Sequence, residues 1–76
     1  MTLKELGVGK SGVITAVGGE GVLRCRLLDM GLIPKTTVRV EKIAPLGDPI
    51  ELRVRGYALS LRKEDARNIS VEVKQV

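Results

Sequence analysis

Apolar residues along this chain come in short blocks, and the spacing inside each block names the element it can build. Leu3 and Leu6 follow the start of a Thr2-Leu3-Lys4-Glu5 run, which has capping-box form, and they predict one short helical turn before Gly7 and Gly9 stop it. Ser11 to Val17 reads as a first strand that ends in the cluster Gly18-Gly19-Glu20-Gly21. Beyond that cluster the period lengthens. Leu23, Leu27 and Met30 fall at i, i+4 and i+7, the spacing of one helix face, and Gly31 is placed to close that helix in the left-handed conformation.

Pro34 then opens a turn into a second strand, "TTVRVEKIA". Val38 and Val40 share a face but Ile43 has the opposite parity, which predicts a bulge near Glu41-Lys42. The stretch "APLGDPIELRVRG", Ala44 to Gly56, crowds two prolines, a glycine and an aspartate into Pro45–Pro49 and then alternates cleanly. Ile50, Leu52 and Val54 point one way, and Glu51, Arg53 and Arg55 the other. Gly56 turns the chain, and Tyr57, Leu59 and Leu61 form the next inward row. "RKEDARN" gives a polar loop or single helical turn, and Ile69, Val71 and Val73 complete the set. Five short strands with glycine and bulge corners predict an all-β domain. The expected form is a small five-stranded antiparallel barrel, closed or nearly closed, with one α-helix inserted after the first strand.

Composition sharpens this picture. At 76 residues the chain is expected to be one domain, burying only about 60% of the surface its unfolded form exposes. It has no Phe, Trp or His, and Tyr57 is its only aromatic, so the core is aliphatic. One cysteine excludes an internal disulfide. With no leader and no apolar run near the ~18 residues of a membrane span, a soluble cytoplasmic domain is expected.

Motifs that suggest chemistry mostly fail on context. "GVGKSGV" holds the Gly-Lys-Ser of a phosphate-binding loop, but Lys4 occupies the position of its first glycine, and the strand follows the loop instead of preceding it. The glycines before the helix lack the third member of a dinucleotide fingerprint, where Arg24 stands. Without histidine the usual neutral-pH base is absent, and the carboxylates are scattered; Glu64-Asp65 reads as a solvated turn. Cys25 reads as a partly buried packing residue. One thiol and no imidazole leave no transition-metal site that can be assigned to residues. Thirteen Lys and Arg against nine Asp and Glu give +4. Arg53, Arg55 and Arg62 are expected to share an outer face, which would suit phosphates, yet no nucleic acid is expected as partner because stacking aromatics are missing.

What remains is the order R-L-L-D-M-G-L-x-P from Arg26, then A-P-L-G-D-P-I from Ala44, then G-x-A-L-S-L-R-K-E-D-A from Gly56. Together these resemble the ferrous iron transport protein A family, FeoA, over nearly the whole chain. The resemblance implies an SH3-like barrel and a cytoplasmic accessory or regulatory protein of bacterial ferrous iron uptake. It would be a protein-binding module and not an enzyme, acting on the membrane transporter FeoB, whose cytosolic part includes a GTP-binding domain. Any transition metal enters only through broad family association. Read against the helix and turn pattern, the resemblance singles out two partner-binding segments. One is the helix end, Leu28, Asp29, Met30, Gly31 and Leu32, with Leu27 and Met30 facing the barrel and Leu28 and Leu32 left partly outside. The other is the corner Leu46, Gly47 and Asp48, with Leu46 as an exposed tip. Lys35 stands where the family commonly has glycine, so a type I turn is expected there. Two alternatives stay beside this reading: a metal-responsive regulatory domain related to the C-terminal SH3-like domain of iron-dependent repressors, and a small basic nucleic-acid-binding barrel. Pairing of an edge strand with a second copy is also left open.

Overall fold

In the computed structural model, which describes residues 1–74, a short 3-10 turn at Leu3–Glu5 precedes every strand. Then follow β1 (Ser11–Val17), α1 (Gly21–Asp29), β2 (Thr37–Ile43), β3 (Ile50–Val54), β4 (Tyr57–Leu61), α2 (Lys63–Ala66) and β5 (Ile69–Val73). All neighbouring strands pair antiparallel in one sheet of order β4-β3-β2-β1-β5, so β4 and β5 are its edges and α2 carries the chain between them.

Most of the inward positions that alternation predicted are buried, but Val73, expected in the last inward row, is exposed at the end of β5 and Leu59 is only half-buried. Ile14, Val38, Val40, Ile50, Leu52, Val54, Leu61, Ile69 and Val71 are buried, and Leu3, Leu6, Leu27 and Leu32 cover the ends. Each fully buried leucine or isoleucine contributes about 1.5–3 kcal/mol relative to exposure, which is how an aliphatic core compensates for the missing large aromatics. The expected bulge lies in β2 between Val40 and Lys42 and lets the strand bend. A second irregularity, between Ile14 and Ala16 where β1 meets β5, was not foreseen. It resets the parity so that Ile14 and Val17 are both buried.

The helix ends in a Schellman motif. Gly31, at φ +96, donates its N–H to the Leu28 carbonyl at 3.0 Å, and the Leu32 N–H reaches the Leu27 carbonyl at 3.2 Å. That reversal turns Leu32 beneath the helix beside Leu27, and both are fully buried. The expectation that Leu32 lies partly outside is therefore corrected: the first residue after a Schellman glycine commonly packs back on the last full turn.

Four further expectations change. Tyr57 is 43% exposed and not inward; its hydroxyl donates to the Met30 carbonyl, and the phenol oxygen lies where a Cβ on Gly31 would stand. Arg55, at φ +50, and Gly56, at φ +86, form the two centres of a type I′ hairpin turn, so Arg55 leaves the strand face and donates to Thr36 Oγ1 at 3.3 Å. Arg53 pairs with Glu41 at 3.3 Å and Arg62 precedes α2, so the predicted arginine row does not form. Lys35 sits at φ +75 with the Thr36 N–H on the Ile33 carbonyl at 3.2 Å, a type II turn in place of the expected type I. Cys25 is exposed, where a packing role was expected.

Two predictions follow from these contacts. Gly31→Ala should lower unfolding free energy by roughly 2 kcal/mol or more, through left-handed strain and overlap with Tyr57, whereas Tyr57→Phe should cost only about 1 kcal/mol; urea unfolding measures both. At the N-terminus the Thr2 N–H donates to Glu5 at 2.9 Å and holds that carboxyl below its ordinary pKa. A folded-state pKa below the unfolded one means that the contribution is present at neutral pH and lost as pH falls through the folded value. Amide exchange in the first residues should therefore speed up in acid, and Glu5→Gln, which keeps the acceptor, should remove that pH dependence.

Candidate functional site

The corner between β2 and β3 is built by its own backbone. The Ala44 N–H reaches the Pro49 carbonyl at 3.1 Å and the Gly47 N–H reaches the Ala44 carbonyl at 2.7 Å. Pro45 fixes one φ, Gly47 takes the left-handed value of +88, and the Asp48–Pro49 peptide is cis. Leu46 stands 92% exposed at the tip, as the sequence predicted. Asp48 does more than turn the chain: its Oδ1 accepts the backbone N–H of Lys63 at 3.1 Å, so the corner caps the first residue of α2.

The helix end offers less than its sequence suggested. Asp29 is exposed, Leu28 and Met30 are half-buried against the core, Gly31 lies under Tyr57, and Leu32 is buried. Among the five residues named there, Asp29 is exposed and Leu28 and Met30 each leave part of their side chain outside, as was expected for Leu28.

Two shallow depressions flank Ser60, which lines both. One, about 230 Å³, is walled by Lys42, Ala44, Pro49 and Glu51 and so adjoins the corner. The other, about 350 Å³, is lined by Arg26, Met30, Leu61, Arg62 and Asp65 and so adjoins the helix end. Asp65 forms its floor at 8% exposure, and Arg26 Nη2 at 3.5 Å and Arg62 Nε at 3.4 Å meet the same Oδ2. Sequence reasoning placed Asp65 on a solvated turn and gave Arg26, Ser60 and Arg62 no role in a shared cleft. The i,i+3 spacing of Arg62 and Asp65 was the available signal, while the Arg26 contact comes from a distant helix. A chain of polar contacts thus joins the corner to α1, from Asp48 to Lys63, along α2 to Asp65, and across to Arg26. Among the described residues no group of three His, Cys, Asp or Glu is arranged to hold a metal ion, and no helix is long and apolar enough to cross a membrane.

Comparison with known proteins gives a consistent result. The family model described as FeoA domain matches residues 1–73. An Fe(2+) transport protein A/Fe(2+) transporter FeoB fusion protein of Porphyromonas gingivalis is 47% identical over 73 residues, which is 96% of this chain and 9% of the relative. The chain therefore spans about a tenth of that curated relative. The solution structure of an FeoA-like protein from Clostridium acetobutylicum superposes with TM-score 0.92 at 39% identity, covering 100% of this chain and 88% of that one. A Stenotrophomonas maltophilia FeoA, crystallised with zinc and described as a procaryotic SH3 domain protein, superposes with TM-score 0.83 at 28% identity, covering 95% and 89%. The fold is SH3-like.

The Asp48 cap makes a prediction of its own. Asp48→Ala should destabilise the protein by about 1 kcal/mol and speed exchange of the Lys63 amide, with the strand amides little affected. Hydrogen exchange followed residue by residue measures both effects.

Proposed function

The chain belongs to the FeoA family, and from that premise we propose that it is a non-enzymatic binding module of ferrous iron uptake that docks on the cytosolic portion of the transporter FeoB. The observation that carries this reading is Leu46, a large apolar side chain held 92% exposed on a corner stiffened by proline, a left-handed glycine and the Asp48 cap. A rigid apolar tip loses little conformational entropy on binding, and burying one leucine yields about 1.5–3 kcal/mol. The Porphyromonas gingivalis relative, whose name joins an FeoA part and FeoB in one polypeptide, supports the same pairing here.

In this reading Leu46 enters an apolar pocket on the transporter while Asp29 and Met30 meet its rim. Gly47 and Asp48 serve by holding the tip in place. Leu32 acts from within, by packing the helix end that carries Leu28, Asp29 and Met30. The module supplies a surface, and any change in transport arises from what that surface does to its partner.

Leu46→Asp is the test. Calorimetric titration against the purified cytosolic portion of FeoB should show affinity falling about tenfold or more, while thermal unfolding stays close to wild type because the side chain touches little of its own fold. Unchanged affinity in a folded Leu46→Asp variant would remove the corner from the interface.

A further inference from the structure

We propose that the cleft between Arg26 and Arg62 receives a carboxylate side chain, an Asp or Glu on the partner protein, as a second anchor beside Leu46. This rests on the docking reading above and extends it to the chemistry that the partner must present. Two guanidinium groups, with side chains 51% and 63% exposed, converge on one oxygen of a single nearly buried carboxylate. Their two positive charges face one negative charge. Each arginine meets Asp65 through one nitrogen only; Arg62 makes a single hydrogen bond there, and among the described residues the Arg26 side chain makes none beyond its ion pair. A guanidinium carries five N–H donors, so most of the donors in this cleft are unused. The separations of 3.4 and 3.5 Å are also longer than the ~2.7–2.9 Å of a well-made charge-assisted bond. Asp65 orients the pair without saturating it.

The walls specify the ligand further. Met30 and Leu61 are apolar, and Ser60 adds a hydroxyl at the boundary with the neighbouring cleft. A carboxylate on a short methylene stem matches that mixture. On a protein partner the anionic side chains available to such a cleft are those of Asp and Glu, which makes the ligand an acidic side chain. Continuity supplies the remaining constraint. Because Ser60 lines both depressions, a segment with its acidic residue between the arginines can run past Ser60 toward Ala44 and Pro49, at the base of the corner that carries Leu46.

The experiment measures affinity of the whole chain for the cytosolic portion of FeoB from about 0.05 to about 0.5 M salt, across which screening strengthens markedly. Arg26→Gln/Arg62→Gln should bind roughly tenfold more weakly at low salt and show a flatter salt dependence, whereas the neutral Leu46→Ser should weaken binding and keep the wild-type salt dependence. Asp65→Asn separates recognition from structure. It removes the neutralising charge but keeps an amide oxygen to which both arginines can donate, so the pair stays aligned and should bind at least as well as wild type; weakening equal to that of the double variant would assign the arginines a structural role and overturn the proposal. If Leu46→Ser weakens binding while the double variant matches wild type at every salt concentration, the cleft is unused and docking stands without it. If the wild type does not bind, or neither Leu46→Ser nor the double variant alters affinity, the docking reading itself falls and the cleft proposal with it. Displacement of the partner by inorganic phosphate but not by acetate would reassign the cleft to phosphate.

Discussion

The left-handed turn at Gly31 joins three parts of the molecule that otherwise have little reason to stay in register. On its inner side it sends Leu32 beneath α1 to pack with Leu27, the one residue of that helix that is fully buried. On its outer side it leaves the Met30 carbonyl free for the Tyr57 hydroxyl, which ties the helix end to the first residue of edge strand β4. It also leaves Met30 on the wall of the cleft that Arg26 and Arg62 flank. Only a residue without a Cβ satisfies both the backbone angle and the approach of the phenol. A nine-residue helix is too short to be stable by itself, so its position depends on this end being fixed from both sides.

Much of the fold was legible because an aliphatic chain of this length has few ways to bury itself. Strict alternation from Ile50 to Val54 and the parity break before Ile43 fixed the strands and the bulge, and Pro45 with Gly47 forced Leu46 outward. The misreadings arise where a local preference meets a contact from elsewhere in the fold. Leu32 was expected partly outside the barrel, but the left-handed closure at Gly31 turns the chain inward and buries it. Tyr57 was placed in the inward row with Leu59 and Leu61, but it opens an edge strand directly after a two-residue turn, where a hydrogen bond to α1 outweighs the parity of the strand. Lys35 keeps a positive φ despite its side chain because its N–H reaches the Ile14 carbonyl at 2.7 Å and the Ile14 N–H reaches the Thr36 carbonyl at 2.9 Å. Those bonds to β1 outweigh the local preference of one residue.

The candidate site was half legible for a similar reason. A protruding corner is encoded locally, by residues next to one another, and the sequence displays it. A charged cleft assembled from α1, β4 and α2 is encoded by tertiary proximity, and "RKEDARN" alone looks like any solvated turn. Asp65 becomes a buried carboxylate only when Arg26 arrives from α1, and a buried charge persists only when it is paired.

These two kinds of surface do different physical work. An apolar tip such as Leu46 contributes through the area it removes from water, a non-directional gain that any greasy hollow of the right size could supply. A pair of arginines aligned by a buried carboxylate contributes direction, because guanidinium and carboxylate bond well only over a narrow range of angles. Alone, the tip would be promiscuous and the arginine pair weak in salt. Joined through Asp48, α2 and Asp65, they are held at a fixed separation, so a partner gains from both only if its apolar hollow and its acidic residue match that spacing. In the docking proposed above, selectivity comes from the rigidity of the connection between the two surfaces, so the polar chain across α2 matters more than the free energy of any one of its contacts.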